Sequence, residues 1–211
     1  MTATMEQDQL EKLRYPTGKF EWRKEYSEDD TQKLIEKIED FPAKFERLVR
    51  SMRNDQLDTA YREGGWTVRQ VIHHLFDSHM NAYTRFKLAL TEDIPAIKPY
   101  NEKAWAELGD SRTTPPEVSV ALLVNLHKRW VNLLKSMSLQ DFDRRFMHPE
   151  HNHIFTLKEI LAMYAWHGDH HYEHINLVKK SLDSKPARIR KPLIRKSSGR
   201  KPLRRNVKSG K

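Results

Sequence analysis

Four times along this chain a Ser or Thr is followed three residues later by an acid or Gln, and then by apolar residues at helical spacing. The pairs are Ser27 with Asp30, Thr67 with Gln70, Thr114 with Glu117 and Thr156 with Glu159. In such a pair each side chain satisfies a backbone N–H that the helix start would leave orphaned. The periodicity after each pair predicts helices over 28–53, 67–91, 116–137 and 157–181. Pro115 and Pro116 fall in the first turn of the third, where proline is tolerated. Pro42 falls inside the first and is expected to kink or split it. No long alternating run argues for strands, although His153-Ile-Phe-Thr156 has the pattern of a short extended piece. The fold class expected is all-α, a four-helix bundle.

Two connections are long. Residues 92–115 carry Pro95, Pro99 and a candidate short helix at Asn101–Leu108, and residues 138–155 carry His148-Pro-Glu-His151-Asn-His153. Long connections in a compact domain often cover a site. The chain divides into an N-terminal extended segment (1–26), the bundle (27–183) and a basic tail (184–211) expected to be disordered, with Lys-Pro three times among Arg, Lys and Ser. The tail explains the formal charge of +9: twelve of the 38 Lys and Arg lie between Lys185 and Lys211, where there is no acid. Residues 1–184 hold the other 26 against all 29 acids, a net of −3. No apolar run reaches the roughly eighteen residues a membrane helix needs, and Met1–Asp8 has no secretory pattern. A cytoplasmic protein with no membrane partner is expected. With no cysteine, metal ligation falls to histidine, carboxylate or water.

Histidine is the chemistry-bearing residue here, with eleven in 211 positions. At 100° per residue, His167, His170, His171 and His174 share an arc of about 100° with Ile160, Met163, Tyr164 and Val178. A lone core histidine is usually just hydrogen-bonded, but several on one buried face are costly unless something satisfies them together. His-x3-His on a helix aims two imidazoles at one ion. A third ligand must come from another helix, and 67–91 offers His73, His74 and His79. Phase sets His79 on the apolar face with Val68, Leu75 and Phe86, and His74 at its wet border; it does not choose between them. His127, in the stripe of Leu123, Trp130 and Leu134, reads as structural.

The segment Tyr61-Arg-Glu-Gly-Gly-Trp66-Thr-Val-Arg-Gln-Val-Ile-His73-His74-Leu-Phe-Asp77-Ser-His79 resembles the DinB-like proteins of the YfiT, or bacillithiol transferase, branch. The resemblance extends through Leu13-Arg-Tyr-Pro16, Pro95–Trp105, Leu126–Trp130 and Trp166-His167, about residues 13–182. It implies an up-down-down-up four-helix bundle, a homodimer, and a zinc or nickel ion on three histidines. Carried over residue by residue, those ligands are His74, His167 and His171. Asp169 stands where relatives often have another histidine, and the basic tail has no counterpart in the family core.

Three neutral imidazoles leave a divalent ion its full charge and an open position, the catalytic pattern. Such an ion activates water for hydrolysis or a thiol for transfer. The branch is associated with both, metal-dependent hydrolysis and transfer of the low-molecular-weight thiol bacillithiol; here the thiol would have to arrive as a cosubstrate. Asp77, one turn beyond His74, is the candidate general base, and Arg14, Arg85 and Arg112 are candidates for a substrate carboxylate. The alternative reading is a metal-stabilised, non-catalytic bundle whose tail binds nucleic acid nonspecifically by counterion release.

Overall fold

The computed structural model describes residues 2–184. Its elements are α1 (Thr2–Arg14), α2 (Glu28–Arg50), α3 (Asn54–Leu57), α4 (Val68–Thr91), α5 (Glu102–Ala106), α6 (Gly109–Thr113), α7 (Pro116–Ser136), a 3-10 turn (Leu139–Asp143), β1 (Arg145–His148), β2 (His153–Thr156) and α8 (Leu157–Asp183). The tail expected beyond Ser184 lies outside the described residues. No described helix is long and apolar enough to cross a membrane.

Three of the four helix starts are reciprocal caps: Ser27 with Asp30, Thr67 with Gln70 and Thr156 with Glu159. The fourth is not. Pro115 is the N-cap of α7, with no side-chain bond, and Pro116 is its first residue. A residue before proline is pushed out of the helical region, so Pro115 is held extended at ψ 130° and the helix starts after it, stranding Thr114. α2 is continuous through Pro42. The expected split does not occur, and the carbonyl that Pro42 leaves unbonded finds another partner below. The N-terminal segment, expected to be extended, is helical over Thr2–Arg14. That stretch has no Gly or Pro and is rich in Glu, Gln, Leu, Lys and Arg, all good helix formers.

The side chains fix the directions of the four long helices. α2 and α8 run parallel, since Gly168 lies against Phe41 and Arg53 bonds Asp183. α4 and α7 run parallel, with His73 on Ser119 and Phe86 on Trp130. α4 and α8 are antiparallel, with Arg85 at Tyr164 and His74 at His167 and His171. α2 and α7 are antiparallel, with Glu39 at Lys135 and Phe41 at His127. This is the up-down-down-up bundle.

The core is cut in two. One apolar cluster holds Ile35, Ile38, Phe86, Trp130, Leu134, Phe146 and Leu161. The other holds Phe41, Phe45, Val71, Leu75, Leu123, Ile175 and Val178. Between them on α4, α7 and α8 stand His79, His127, His167, His171 and His174, a polar layer across the bundle. The two long connections meet on one flank: β1 pairs with β2, and Ile97 and Met147 bridge the crossover to that hairpin.

Candidate metal centre

His74 comes from α4, and His167 and His171 from successive turns of α8. Their ligand atoms all lie within 4.8 Å of one another. His74 Nε2 and His167 Nε2 are 3.3 Å apart. A tetrahedral ion with metal–nitrogen bonds of about 2.05 Å separates its ligands by about 3.3 Å, so this donor set fits one small divalent cation. Burial, reinforced by the neighbouring imidazoles, holds His167 and His171 well below the ordinary histidine range, and burial alone brings His74 to about 4. All three are neutral at pH 7 and offer lone pairs.

Of the other helical histidines all but His170 are committed elsewhere; His170 lines the same cavity, and its buried Nδ1 has no hydrogen-bond partner among the described residues. His73 has Nδ1 2.7 Å from the Ser119 hydroxyl and Nε2 3.1 Å from the Thr114 carbonyl, so neither nitrogen is free. His79 and His127 are fully buried and bonded to each other. His170, His171 and His174 also lie within ligand distance of one another, but all on one helix, and His174 does not face the cavity.

A cavity of about 590 Å³ opens over the three histidines. Its walls are Tyr61, Trp66 and Trp166, with Arg62, Lys103, Glu102 and Glu107 around them. The 61–66 wall is a tight turn in which Tyr61 N–H bonds the Trp66 carbonyl, and Gly64, at φ +61°, takes the left-handed conformation it needs. Glu102 sits in the first turn of α5, placed by the Asn101 cap; it is solvent-exposed, the groups around it partly desolvate its carboxyl and push it up, and it makes no ion pair among the described residues. Glu107, by contrast, is paired with Arg112.

Asp77 does not line the cavity. It is half-buried, and burial together with Asp110 raises it to about 6. Nor do the three arginines line it: Arg14 pairs with Glu11, Arg112 with Glu107, and buried Arg85 approaches the Tyr164 hydroxyl at 3.4 Å. Sequence reasoning overlooked Glu102 and Lys103, although both lie in the short helix expected at 101–108 inside a long connection. Asp169, where relatives often have histidine, bonds Lys44 of α2 and is not in the ligand group.

Residues 37–175 match the DinB superfamily. The Bacillus subtilis protein named "Putative metal-dependent hydrolase YfiT" is 51% identical over 170 residues, covering 81% of this chain and 96% of its own length. A Bacillus cereus (strain 03BB102) protein named "Putative metal-dependent hydrolase" is 50% identical over 171 residues, covering 81% and 98%. A solved structure superposes with a TM-score of 0.80 at 50% identity, covering 82% of this chain and 98% of that one; it is described as YfiT from Bacillus subtilis, "a probable metal-dependent hydrolase with an unusual four-helix bundle topology". The crossed helix directions, the match over the bundle and half-identity along nearly the whole of these relatives place this chain in the DinB superfamily, to which it belongs.

Proposed function

We propose that this chain is a metal-dependent enzyme for small molecules, holding one zinc or nickel ion on His74, His167 and His171. One observation carries the reading: three neutral imidazoles from two helices converge within 4.8 Å at the floor of a cavity. A structural zinc site is normally closed by four protein ligands, whereas three plus access is the catalytic arrangement. The names of the relatives support hydrolysis in particular.

When bound, the ion supplies Lewis-acid activation of water or of a thiol. The rest is done by the chain. Tyr61, Trp66 and Trp166 form an aromatic wall that excludes bulk water and stacks on an apolar part of the substrate. Arg62 and Lys103 offer cations to its anionic groups, and Glu102, exposed on the cavity wall with its carboxyl pushed up by partial desolvation, is positioned to take or return a proton at the cavity mouth. Thiol transfer uses the same groups with a low-molecular-weight thiol as cosubstrate.

The test is metal analysis of protein purified without chelator or affinity metal, followed by turnover with and without chelator. One first-row metal per chain and chelator-sensitive turnover are expected. Metal-free protein, or equal rates with chelator, overturns the reading. Product analysis then separates water addition from thioether formation.

A further inference from the structure

Two of the three histidines in the metal centre have further imidazoles behind them, and the directions of those hydrogen bonds are determined. A backbone carbonyl only accepts. The Ile38 carbonyl lies 2.8 Å from His127 Nδ1, so that nitrogen carries the hydrogen. In a neutral ring the other nitrogen is then bare, and His127 Nε2 accepts from His79 Nδ1–H at 2.8 Å. His79 Nε2 is bare in turn and accepts from His167 Nδ1–H at 3.3 Å. On the other side the Arg14 carbonyl lies 3.2 Å from His174 Nε2, which therefore carries its hydrogen. His174 Nδ1 accepts from His171 Nδ1–H at 3.3 Å. Both series end the same way, with a bare Nε2 on a residue of the metal centre.

We propose that His79, His127 and His174 are positioning residues: two imidazole chains, each started by a backbone carbonyl, lock His167 and His171 with hydrogen on Nδ1 and the Nε2 lone pair turned to the ion. The inference rests on the three-histidine metal site proposed above. It gives Pro42 a purpose. With no N–H at Pro42 the Ile38 carbonyl loses its usual helical partner and is free to start the first chain. It also explains why imidazoles cross the core between two apolar clusters, where leucines would pack at no polar cost. Partners of this kind fix the ring orientation and tautomer of a metal-binding histidine.

The experiment uses the full chain, selectively 15N-labelled at histidine, with tautomers read by long-range 1H–15N correlation on the metal-free protein and zinc affinity by competition with a chromogenic chelator. In the unmodified chain His79, His127, His167 and His171 should carry hydrogen on Nδ1 and His174 on Nε2. His127→Phe, which removes both the donor and the acceptor two bonds away from the ion, should let His79 and His167 move toward the Nε2–H form and weaken zinc about 10- to 100-fold. His127→Gln keeps a donor and an acceptor and should restore most of both. His73→Phe, equally buried but outside the chains, should change neither. A hydrogen on His167 Nε2 in the unmodified chain overturns the proposal, and so does unchanged zinc affinity in His127→Phe or an equal loss in His73→Phe. Two zinc ions per chain also overturn it, because His171 Nδ1 and His174 Nδ1 would then be ligands rather than a bonded pair. Should His127→Phe not fold, the tautomers of the unmodified chain decide the question alone. If those tautomers are as stated but no zinc binds, the metal reading falls and the chains stand.

Discussion

At the scale of single residues, the histidines divide by what their second nitrogen does. His73 spends both on Ser119 and Thr114, so His73→Ala should keep stoichiometric metal despite its burial. His74→Ala, His167→Ala and His171→Ala should each lose it, by metal analysis after dialysis. A bound ion stabilises only the folded chain, by about 2.7 kcal/mol at a hundredfold excess over Kd; these three variants should lose that metal-dependent rise in melting temperature. Retention of metal by any of them would break the ligand set. Two carboxylates compete for the role of base. Asp77 is raised to about 6 but lies off the cavity, whereas Glu102 lines it. Glu102→Gln should therefore lower kcat by about 10²-fold or more, and Asp77→Asn should change it by no more than a few-fold. The reverse order would return Asp77 to the mechanism.

At the scale of elements, capping and close approach set the frame that aims these side chains. α8 starts on the Thr156–Glu159 box and carries two residues of the centre, so Thr156→Ala should cost about 1 kcal/mol, a fall of about 2–4 °C in a chain this size. Thr114→Ala should cost less than about 0.5 kcal/mol, because Pro115 rather than Thr114 caps α7 and Thr114 bonds through its backbone N–H and carbonyl, which alanine keeps. Equal losses would show that the chain before α7 is capped differently. Gly168 lies next to His167 where α8 meets α2, and a Cβ there would stand 3.0 Å from the Phe41 ring. Phe41 cannot easily give way, being stacked on Phe45 and His79. Gly168→Ala should thus destabilise by about 1–3 kcal/mol through overpacking, more than the roughly 1 kcal/mol of helix propensity it gains. A higher melting temperature would mean that the two helices can separate there.

At the scale of the whole molecule, the polar layer makes stability depend on pH. His127 is 1% exposed, between His79 of α4, Trp130 of its own helix and Phe41 and the Ile38 carbonyl of α2, and burial lowers it from 6.5 to about 4. The unfolded chain takes up a proton below pH 6.5 that the folded chain refuses, so the folded state is favoured fully above 6.5 and loses that advantage as pH falls toward 4. The melting temperature of metal-free protein should be flat above pH 7 and fall between 6.5 and 4, with a shallower fall in His127→Gln. Beyond the bundle, deleting residues 185–211 should leave melting temperature and metal content unchanged and abolish salt-dependent retention on DNA, since all twelve of its cations go with it. Earlier melting would show that the tail contributes to the fold.

The sequence by itself determined the helices, because capping and 3.6-residue periodicity are local: three of four starts, the short helix after Asn101 and the strand at His153–Thr156 were legible in it. His-x3-His on α8 was legible for the same reason. What failed locally did so where a neighbour intervened, as Pro116 moved the start of α7 and as His127 took the carbonyl freed by Pro42. The choice of His74 over His79 was not available to helical phase, since both belong to the inner side of α4 and are buried. The family resemblance supplied that choice from outside the phase argument. Only the tertiary structure set His74 beside His167 and gave His79 to His127, because the direction in which an imidazole can act depends on which nitrogen its neighbours occupy, and a neighbour can lie 93 positions away in sequence, as His167 does from His74.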